Sequence, residues 1–248
     1  MTSRMKLLAV FGAVVAGLLL AEPAAAQQIS IDFGDGNTLT ARIIQLVGLI
    51  TVLSLAPSIL IVVTSFTRII VVLSLLRSAL GVQQTPPNTV LISLALFLTA
   101  FIMAPTFQKS YTDGIAPFMA EEIDAPEAFE KSVAPFRDFM LAHVREKDLA
   151  LFFEMSKMER PASAEETPLQ VLIPAYLISE LNRAFQIGFL IFVPFVVIDM
   201  VIASVLMSMG MMMLPPVMIS LPFKLIFFVL VDGWNLVAGS LVKGFGVT

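Results

Sequence analysis

Apolar runs of helical length alternate with polar stretches along most of this chain. Four runs approach the roughly 20 residues that a helix needs to cross a bilayer, and they lie at residues 43–66, 90–107, 185–209 and 217–242. A polar segment separates the second run from the third. The pattern predicts an all-α, membrane-associated protein made of helical hairpins with a helical insertion. The corresponding segments are a first hydrophobic hairpin at 43–107, the insertion at 108–168 and a second hydrophobic hairpin at 169–248.

The N-terminus carries the features of a secretory signal peptide. Two basic residues precede an apolar run at 7–20, and the small residues Ala24 and Ala26 follow it in the positions of a cleavage site. We therefore predict a cleaved signal peptide at 1–26 and a short periplasmic segment at 27–42. The alternative is an uncleaved first transmembrane helix, but the apolar run is short for a bilayer span.

Charge in the connecting segments predicts the orientation of the hairpins. The connector at 67–88 carries Arg68 and Arg77 and no acidic residue, so the positive-inside rule places it in the cytoplasm. The insertion at 108–168 then lies in the periplasm, and the turn at 210–216 returns to the cytoplasmic side. This orientation agrees with an exported N-terminus.

The insertion is acidic and is predicted to be helical. It holds 7 Lys/Arg and 13 Asp/Glu, which leaves 14 charged residues for the other 187 positions. Apolar residues at spacings of three and four predict one helix face, which is formed by Phe129, Val133, Phe136, Met140 and Val144. A second short helix is predicted at 148–158 and a loop at 159–168. His143 lies among charged residues and is predicted to be an ordinary surface histidine.

Composition argues against several classes of function. The chain is 58% hydrophobic and 14% charged, against about 25% charged in soluble domains, which disfavours a soluble enzyme. It has no cysteine and one histidine, which excludes disulfides, thiolate metal sites, a cysteine nucleophile and His-rich metal sites. The sequence has no glycine-rich phosphate loop, serine nucleophile elbow or zinc motif, and no basic stripe suits nucleic acid. We therefore expect no catalysis, no cofactor, no metal and no nucleic-acid partner.

Ionisable residues inside the second hydrophobic hairpin are candidate functional groups, because each costs about 2.5–3.5 kcal/mol at the centre of a membrane helix. Glu180 and Arg183 are three residues apart on one helix face and are predicted to pair. Asp199 and Lys224 lie at nearly equal distances from the middle of the predicted turn, so they are predicted to neutralise each other, within one chain or between copies. Asp232 has no obvious partner. The alternative is that Asp199, Lys224 and Asp232 couple ions in a polytopic secondary transporter.

Methionines cluster around the turn of the same hairpin. Half of the chain's 14 methionines fall between residues 200 and 218. They are Met200, Met207, Met209, Met211, Met212, Met213 and Met218. Flexible, unbranched thioethers can pack around irregular objects, and consecutive side chains in a Gly/Pro turn cannot all face one helix. The cluster favours a deformable hydrophobic seal, and the alternative is a turn buried by neighbouring subunits.

Seven sequence blocks, in order from residue 65 to residue 234, give the chain a specific resemblance. They are SFTR at 65–68, LGVQQTPPN at 80–88, REKDLALF at 145–152, PAYLISELNRAFQIG at 174–188, DMVIAS at 199–204, MGMMMLPP at 209–216 and LPFKLIFFVLVDGW at 221–234. With these blocks the chain resembles the FliP family of flagellar type III secretion export gates, which includes the injectisome R-type homologues.

The resemblance implies a function that composition does not give. The family forms a ring of five copies, which together with two small membrane proteins of the Q and R types makes an entry gate for unfolded export substrates. Larger export-gate proteins and membrane lipid are the other expected partners. The expected location is the bacterial inner membrane and its periplasmic side, in the flagellar basal body.

The resemblance also implies a role for the methionine turn and limits what hydropathy can show. Met209, Met211, Met212 and Met213 match the loop that acts as a gasket around the pore in the family. The chain is therefore expected to be a pore-forming gate subunit without catalysis of its own. Assembled hairpins of the family lie largely above the membrane plane, so apolar runs do not give their final depth.

Overall fold

The computed structural model describes residues 39–82, 84–211 and 214–246. Within these ranges the chain is helical and contains no strand, which confirms the predicted all-α class. The α-helices are α1 (Leu39–Val63), α2 (Phe66–Leu80), α3 (Asn88–Ser110), α4 (Ala116–Met119), α5 (Ala125–His143), α6 (Glu146–Ser156), α7 (Leu169–Ser208), α8 (Pro216–Leu230) and α9 (Gly233–Lys243). A π-helical turn, Tyr111–Ile115, joins α3 to α4, and a 3-10 turn, Ala164–Glu166, precedes α7.

Backbone contacts divide the chain into two units, residues 1–52 and residues 53–248. The described part of the first unit is the beginning of α1, where apolar side chains such as Ile44 and Ile50 are exposed. The predicted signal peptide at 1–26 and most of the predicted segment 27–42 lie outside the described residues.

Helix α2 is the centre of the second unit. Ile69, Val72, Leu73 and Leu76 recur at the spacing of one helix face and are almost completely inaccessible to solvent. This face packs against α7 and α3. The helix occupies most of the segment at 67–88 that the sequence suggested as a connector, so this segment is a packed helix up to Leu80. Its side of the membrane stays a prediction.

The ends of the helices follow from local chemistry. Gly81 ends α2 with a φ of 77°, a left-handed conformation that glycine adopts without strain. Its N–H donates to the carbonyl of Ser78 at 3.1 Å. Asp124 begins α5, because its carboxylate accepts the N–H of Glu127 at 3.0 Å and caps the first turn.

The acidic insertion folds into the predicted helices, and Phe136, Met140 and Val144 of the predicted apolar face lie in or against one core cluster. Helices α5 and α6 coincide with the two predicted helices within a few residues. Met140 is buried as predicted, but Phe129 is 67% exposed and the neighbouring Ala128 is buried instead. Helix α5 packs against both α3 and α7, which turns its contact surface away from Phe129. His143 is half-buried against aromatic rings, so its prediction as a surface residue is also wrong.

Two helical segments among the described residues are long and apolar enough to cross a membrane: Asn88–Met119 and Leu169–Ser208. They contain the second and third apolar runs of the sequence. The fourth run forms α8 and α9, which bend by 61° at residues 231–232 and count as a third span only when taken together. Most of the first run lies in α1, which ends at Val63 and contains a shorter apolar helical segment, Leu46–Leu55.

Candidate functional site

The long helix α7 has a buried half and an exposed half. In the first half, Leu172 and Tyr176 are fully buried and pack against Met140 of α5. In the second half, Leu190 is 68% exposed and Met200 is 65% exposed. Since soluble monomers rarely expose contiguous apolar surfaces, this half is a candidate contact site for protein or lipid.

Helix α8 continues this exposed apolar surface on the other side of the hairpin turn. Its exposed apolar side chains include Val217, Phe223, Ile226, Val229 and Leu230. Phe195 and Phe228 are buried where the two helices meet. The hairpin therefore has an internal seam of aromatic contacts and an uncovered apolar exterior, which we call the hairpin surface and define as the exposed apolar side chains between residues 185 and 230.

Glycine and proline shape the turn of the hairpin. Gly210 has a φ of 72°, and its N–H donates to the carbonyl of Met207 at 3.1 Å. The N–H of Met211 donates to the carbonyl of Leu206 at 3.0 Å. These two bonds form a Schellman motif, which ends α7. Pro216 then begins α8, because a proline in the first turn of a helix leaves no N–H unpaired.

The methionines of this turn lie on the surface of the chain. Met209 is 64% exposed and Met211 is 43% exposed. Met207 and Met218, on either side of the turn, are exposed as well. Met212 and Met213 lie outside the described residues. The described thioethers are therefore not used to fill the core of their own chain.

Asp199 of α7 and Lys224 of α8 form an ion pair across the hairpin. Lys224 Nζ lies 2.6 Å from Asp199 Oδ2, and Ser220 Oγ donates to Asp199 Oδ1 at 2.5 Å. Lys224 also donates to the carbonyl of Ala79 at 3.4 Å. The ammonium group thus lies at the C-terminal end of α2, where the helix dipole favours a positive charge.

The ion pair has the partners and the burial expected of a neutralised charge in an apolar hairpin. The side chain of Lys224 is 5% exposed and that of Asp199 is 32% exposed. Three helices meet at this point, since Lys224 contacts both α7 and α2. The contact is intrachain, and the symmetric spacing around the turn explains it, because residues at equal distances from a hairpin turn lie at the same level.

Glu180 pairs with Arg68 of α2 and not with Arg183, so the predicted local pair is wrong. Arg68 Nε donates to Glu180 Oε2 at 2.8 Å, and Arg68 Nη2 donates to Glu180 Oε1. Both side chains are almost fully buried. Such a two-point contact between a guanidinium and a carboxylate is the strongest form of ion pair in proteins. It outcompetes a same-helix contact because Glu180 faces α2.

A third donor of Arg68 reaches the C-terminal end of the described chain. Arg68 Nη1 donates to the carbonyl of Gly244 at 3.3 Å, and the guanidinium lies over the ring of Phe245, 3.7 Å from its centroid. Arg68 therefore joins α2, α7 and the segment after α9. One of the two charges that suggested a cytoplasmic connector is in fact inside the fold.

A polar network that the sequence did not single out attaches α6 to α7. The backbone N–H of Arg145 donates to Ser179 Oγ at 3.0 Å, and Arg145 Nε donates to Asp148 Oδ2 at 2.6 Å. Ser179 Oγ donates to the same carboxylate oxygen at 2.6 Å, and Arg145 Nη1 donates to Asn182 Oδ1. The only available signal was that two sequence blocks, 145–152 and 174–188, carry these polar residues.

The network also sets the ionisation of Asp148. Burial would raise the pKa of this carboxyl, but hydrogen bonds from Arg145 and Ser179 and the Arg145 charge outweigh it and lower the pKa below its ordinary value. Asp148 is therefore ionised at neutral pH, which keeps its bonds to α7 charge-assisted.

Asp232 does not join the charges of the hairpin. It lies at the bend between α8 and α9 with a φ of 50°, and its carboxylate accepts a hydrogen bond from Asn235 Nδ2 at 3.0 Å. In the part of the chain that the structure describes, no group of three potential His, Cys, Asp or Glu ligands could hold a metal ion. The charges described here act in packing and in neutralising one another.

Comparison with known proteins gives a consistent family assignment. The sequence model of the FliP family matches residues 49–241. A Caulobacter vibrioides protein, named flagellar biosynthetic protein FliP, is 61% identical over 242 residues, which cover 98% of this chain and 91% of that protein. The Bacillus subtilis protein of the same name is 57% identical over 202 residues, 82% of this chain and 91% of that protein. The Aquifex aeolicus protein of this name is 48% identical over 219 residues, covering 88% and 91% respectively.

Proposed function

The chain belongs to the FliP family, and on this premise we propose that it is a core pore-forming subunit of the flagellar type III protein export gate. The gate passes unfolded export substrates across the inner membrane. The observation that carries the proposal is the hairpin surface, an exposed apolar surface that ends in an exposed methionine turn. A surface of this kind needs protein or lipid to cover it.

Several copies of the chain are the cover that best suits the hairpin surface. Between residues 185 and 230, the range of the hairpin surface, the ionisable residues are Asp199 and Lys224, and they pair with each other inside the chain. Neighbouring copies can therefore pack side by side without burying an unpaired charge, which would be costly. We propose a ring of five copies that binds small membrane proteins of the Q and R types, larger export-gate proteins and lipid.

The methionine turn is proposed to seal the pore of this ring. Met209 and Met211 expose unbranched side chains at a turn that its glycine and prolines hold in place. Apolar, flexible thioethers exclude water and can repack around a passing chain. The roles of Met212 and Met213 rest on their positions in the same turn of the sequence.

The proposed location is the bacterial inner membrane and its periplasmic side, in the flagellar basal body. Two described helical segments have the length and hydropathy of membrane spans. The predicted signal peptide would deliver the N-terminus to the periplasm. N-terminal sequencing of protein extracted from membranes should then begin at Gln27, and a mature chain that begins at Met1 would remove the basis of the proposed orientation.

A secondary transporter is the alternative function, but each of its proposed ion-coupling residues already has a bonding partner within the chain. Asp199 and Lys224 are bonded to each other, and Asp232 is bonded to Asn235. Transporters with discontinuous helices carry them in matching pairs, one in each repeat. Among the described residues only the α8–α9 pair is bent in this way.

The seal is tested by replacing Met211, Met212 and Met213 together with Ala. This change removes apolar bulk from the turn and keeps the glycine and prolines that shape it. We expect the variant to assemble, as judged by native electrophoresis, and to raise the permeability of the inner membrane to ions or small solutes. A matched control replaces three exposed methionines of the acidic insertion, Met119, Met155 and Met158.

Two outcomes of this experiment contradict the seal. Normal assembly with an impermeable membrane would show that the thioethers do not close the pore. Failed assembly in the turn variant, with normal assembly in the control, would show that the turn is buried packing between subunits.

A further inference from the structure

The segment after α9 is held against the fold by a group of aromatic and basic side chains. Phe245 is buried between Arg68, whose guanidinium lies 3.7 Å from the ring centroid, and His143, whose ring centroid lies 5.1 Å away. Phe139 completes the group, with centroid distances of 4.6 Å to His143 and 5.9 Å to Phe245. Residues 244–246, which we call the C-terminal segment, thus contact α2 and α5.

The surroundings of His143 suit a neutral imidazole. His143 Nδ1 lies 2.7 Å from the carbonyl of Phe139, so this nitrogen carries the proton and donates to it. The charged groups on the packed elements are Arg68 of α2 and Glu180 and Arg183 of α7. Glu180 already shares both of its oxygens with Arg68.

Charged groups on the other elements near His143 do not offset the positive charges of Arg68 and Arg183. The acidic residue of α5 that comes before His143 in the sequence is Asp138, whose side chain is exposed to solvent. Arg145, two residues later, is bonded to Asp148 and Asn182. Lys243, which ends α9 next to the C-terminal segment in sequence, is exposed. A protonated imidazole would therefore enter a region that already holds more positive than negative charge.

We propose that His143 is a pH-sensitive latch for the C-terminal segment. The neutral imidazole packs on Phe245 and keeps it over Arg68, and protonation releases the segment from α5. His143 is the only histidine of the chain, so no second imidazole titrates in the same range.

The direction of the effect follows from proton linkage. Burial is the largest effect on the pKa of His143 and lowers it, and the charges of Arg68 and Arg183 lower it as well. Hydrogen bonds to the carbonyls of Phe139 and Phe245 act in the opposite direction. The net result is a pKa below the ordinary value. A group whose pKa is lowered in the docked state stabilises docking above its ordinary pKa of about 6.5. That stabilisation is lost as the pH falls through the lowered pKa, because the undocked state then binds more protons.

The absence of cysteine makes the latch accessible to a single spin label. We would introduce Thr248→Cys into the full chain, attach a nitroxide and measure its mobility by electron paramagnetic resonance between about pH 7.5 and about pH 5. The mobile fraction should rise as the pH falls. In the same labelled chain, His143→Gln, which stays neutral, should abolish this rise, and Phe245→Ala should give the high mobile fraction at every pH.

The outcomes separate the latch from a passive contact. An unchanged label spectrum across the pH range in the unsubstituted labelled chain would overturn the proposal. An equal rise in the His143→Gln chain would also overturn it, because the titrating group would then lie elsewhere. If Phe245→Ala does not assemble, the comparison of the parent with His143→Gln still decides the matter.

Discussion

The two halves of α7 have opposite surroundings. The half that contains Leu172 and Tyr176 is buried by α2 and α5. The half that contains Leu190 and Met200 faces outward and has only α8 and parts of α2 and α9 beside it. Only the outward-facing half lies in the apolar run at 185–209, so the more hydrophobic half is the one that its own chain leaves uncovered.

Buried charges distinguish the two halves more clearly. In the first half Glu180 is completely buried and its partner Arg68 comes from the central helix. In the second half Asp199 remains a third exposed, although its partner Lys224 is buried. The first half has the character of a protein interior, and the second half has an apolar surface that the chain itself leaves uncovered.

The largest effect is expected from Glu180→Ala. It leaves the guanidinium of Arg68 buried without its carboxylate, a loss that costs about 3–5 kcal/mol. We expect much less protein in the membrane fraction and a lower melting temperature in detergent. The matched control is Glu127→Ala, which removes an exposed ion pair with Lys131 and should leave the melting temperature almost unchanged, because solvent screens such pairs. If Glu180→Ala and Glu127→Ala lowered the melting temperature equally, the buried ion pair would not be more important for stability than the exposed one.

A smaller effect is expected from Asp199→Ala, because part of this carboxylate is already solvated. Loss of its bonds to Lys224 and Ser220 should cost about 1–3 kcal/mol and weaken assembly, which native electrophoresis measures. Exchanging the two charges should restore assembly only partly, since a carboxylate at position 224 would face the carbonyl of Ala79. Normal assembly of both Asp199→Ala and Lys224→Ala would rule out a role for this pair.

A paired glycine experiment compares the packing of α7 on α2 with open space on α9. A Cβ at Gly188 would lie 2.2 Å from Leu75 Cδ1 and 3.2 Å from Leu75 Cβ and Cγ, whereas a Cβ at Gly239 has no neighbour within 4 Å. Gly188→Val should therefore cost about 1–2 kcal/mol by overpacking, measured as thermal stability in detergent. Gly239→Val should change stability by about 0.5 kcal/mol or less. A reversed order would contradict the described contact between α7 and α2.

The smallest effect concerns the attachment of α6 to the buried half of α7. Because the pKa of Asp148 is lowered in the fold, its contribution is present above its ordinary pKa of about 4 and is lost as the pH falls through the lowered value. Asp148→Asn should cost roughly 1 kcal/mol at neutral pH and flatten the acid limb of the stability curve. Melting curves recorded from neutral to acidic pH test this, and identical acid limbs would contradict it.

The sequence could predict what local spacing determines. The apolar periodicity of residues 128–144 predicts α5, and equal distances from the turn predict the contact of Asp199 with Lys224. Local spacing did not predict contacts between residues that are far apart in the chain. Arg68 and Glu180 are 112 positions apart, so no local spacing could join them.

The segment at 67–88 shows what a charge pattern does not contain. Arg68 and Arg77 interrupt an otherwise apolar stretch, and the positive-inside rule treats such charges as exposed to the cytoplasm. In the fold Arg68 is buried with Glu180, and Arg77 donates to Asn88 Oδ1 at 2.6 Å. Burial of a charge depends on its tertiary partner, which the charge pattern of the segment does not contain.

The central claim is that other protein subunits cover the hairpin surface. Photo-crosslinking side chains placed singly at Leu190, Met200 and Leu230 test it in intact membranes, with exposed Met119 and Met155 of the insertion as controls. We expect the three hairpin positions to form crosslinks to further copies of the chain or to other gate proteins far more often than the controls. Crosslinks to lipid alone at all three hairpin positions would contradict the claim.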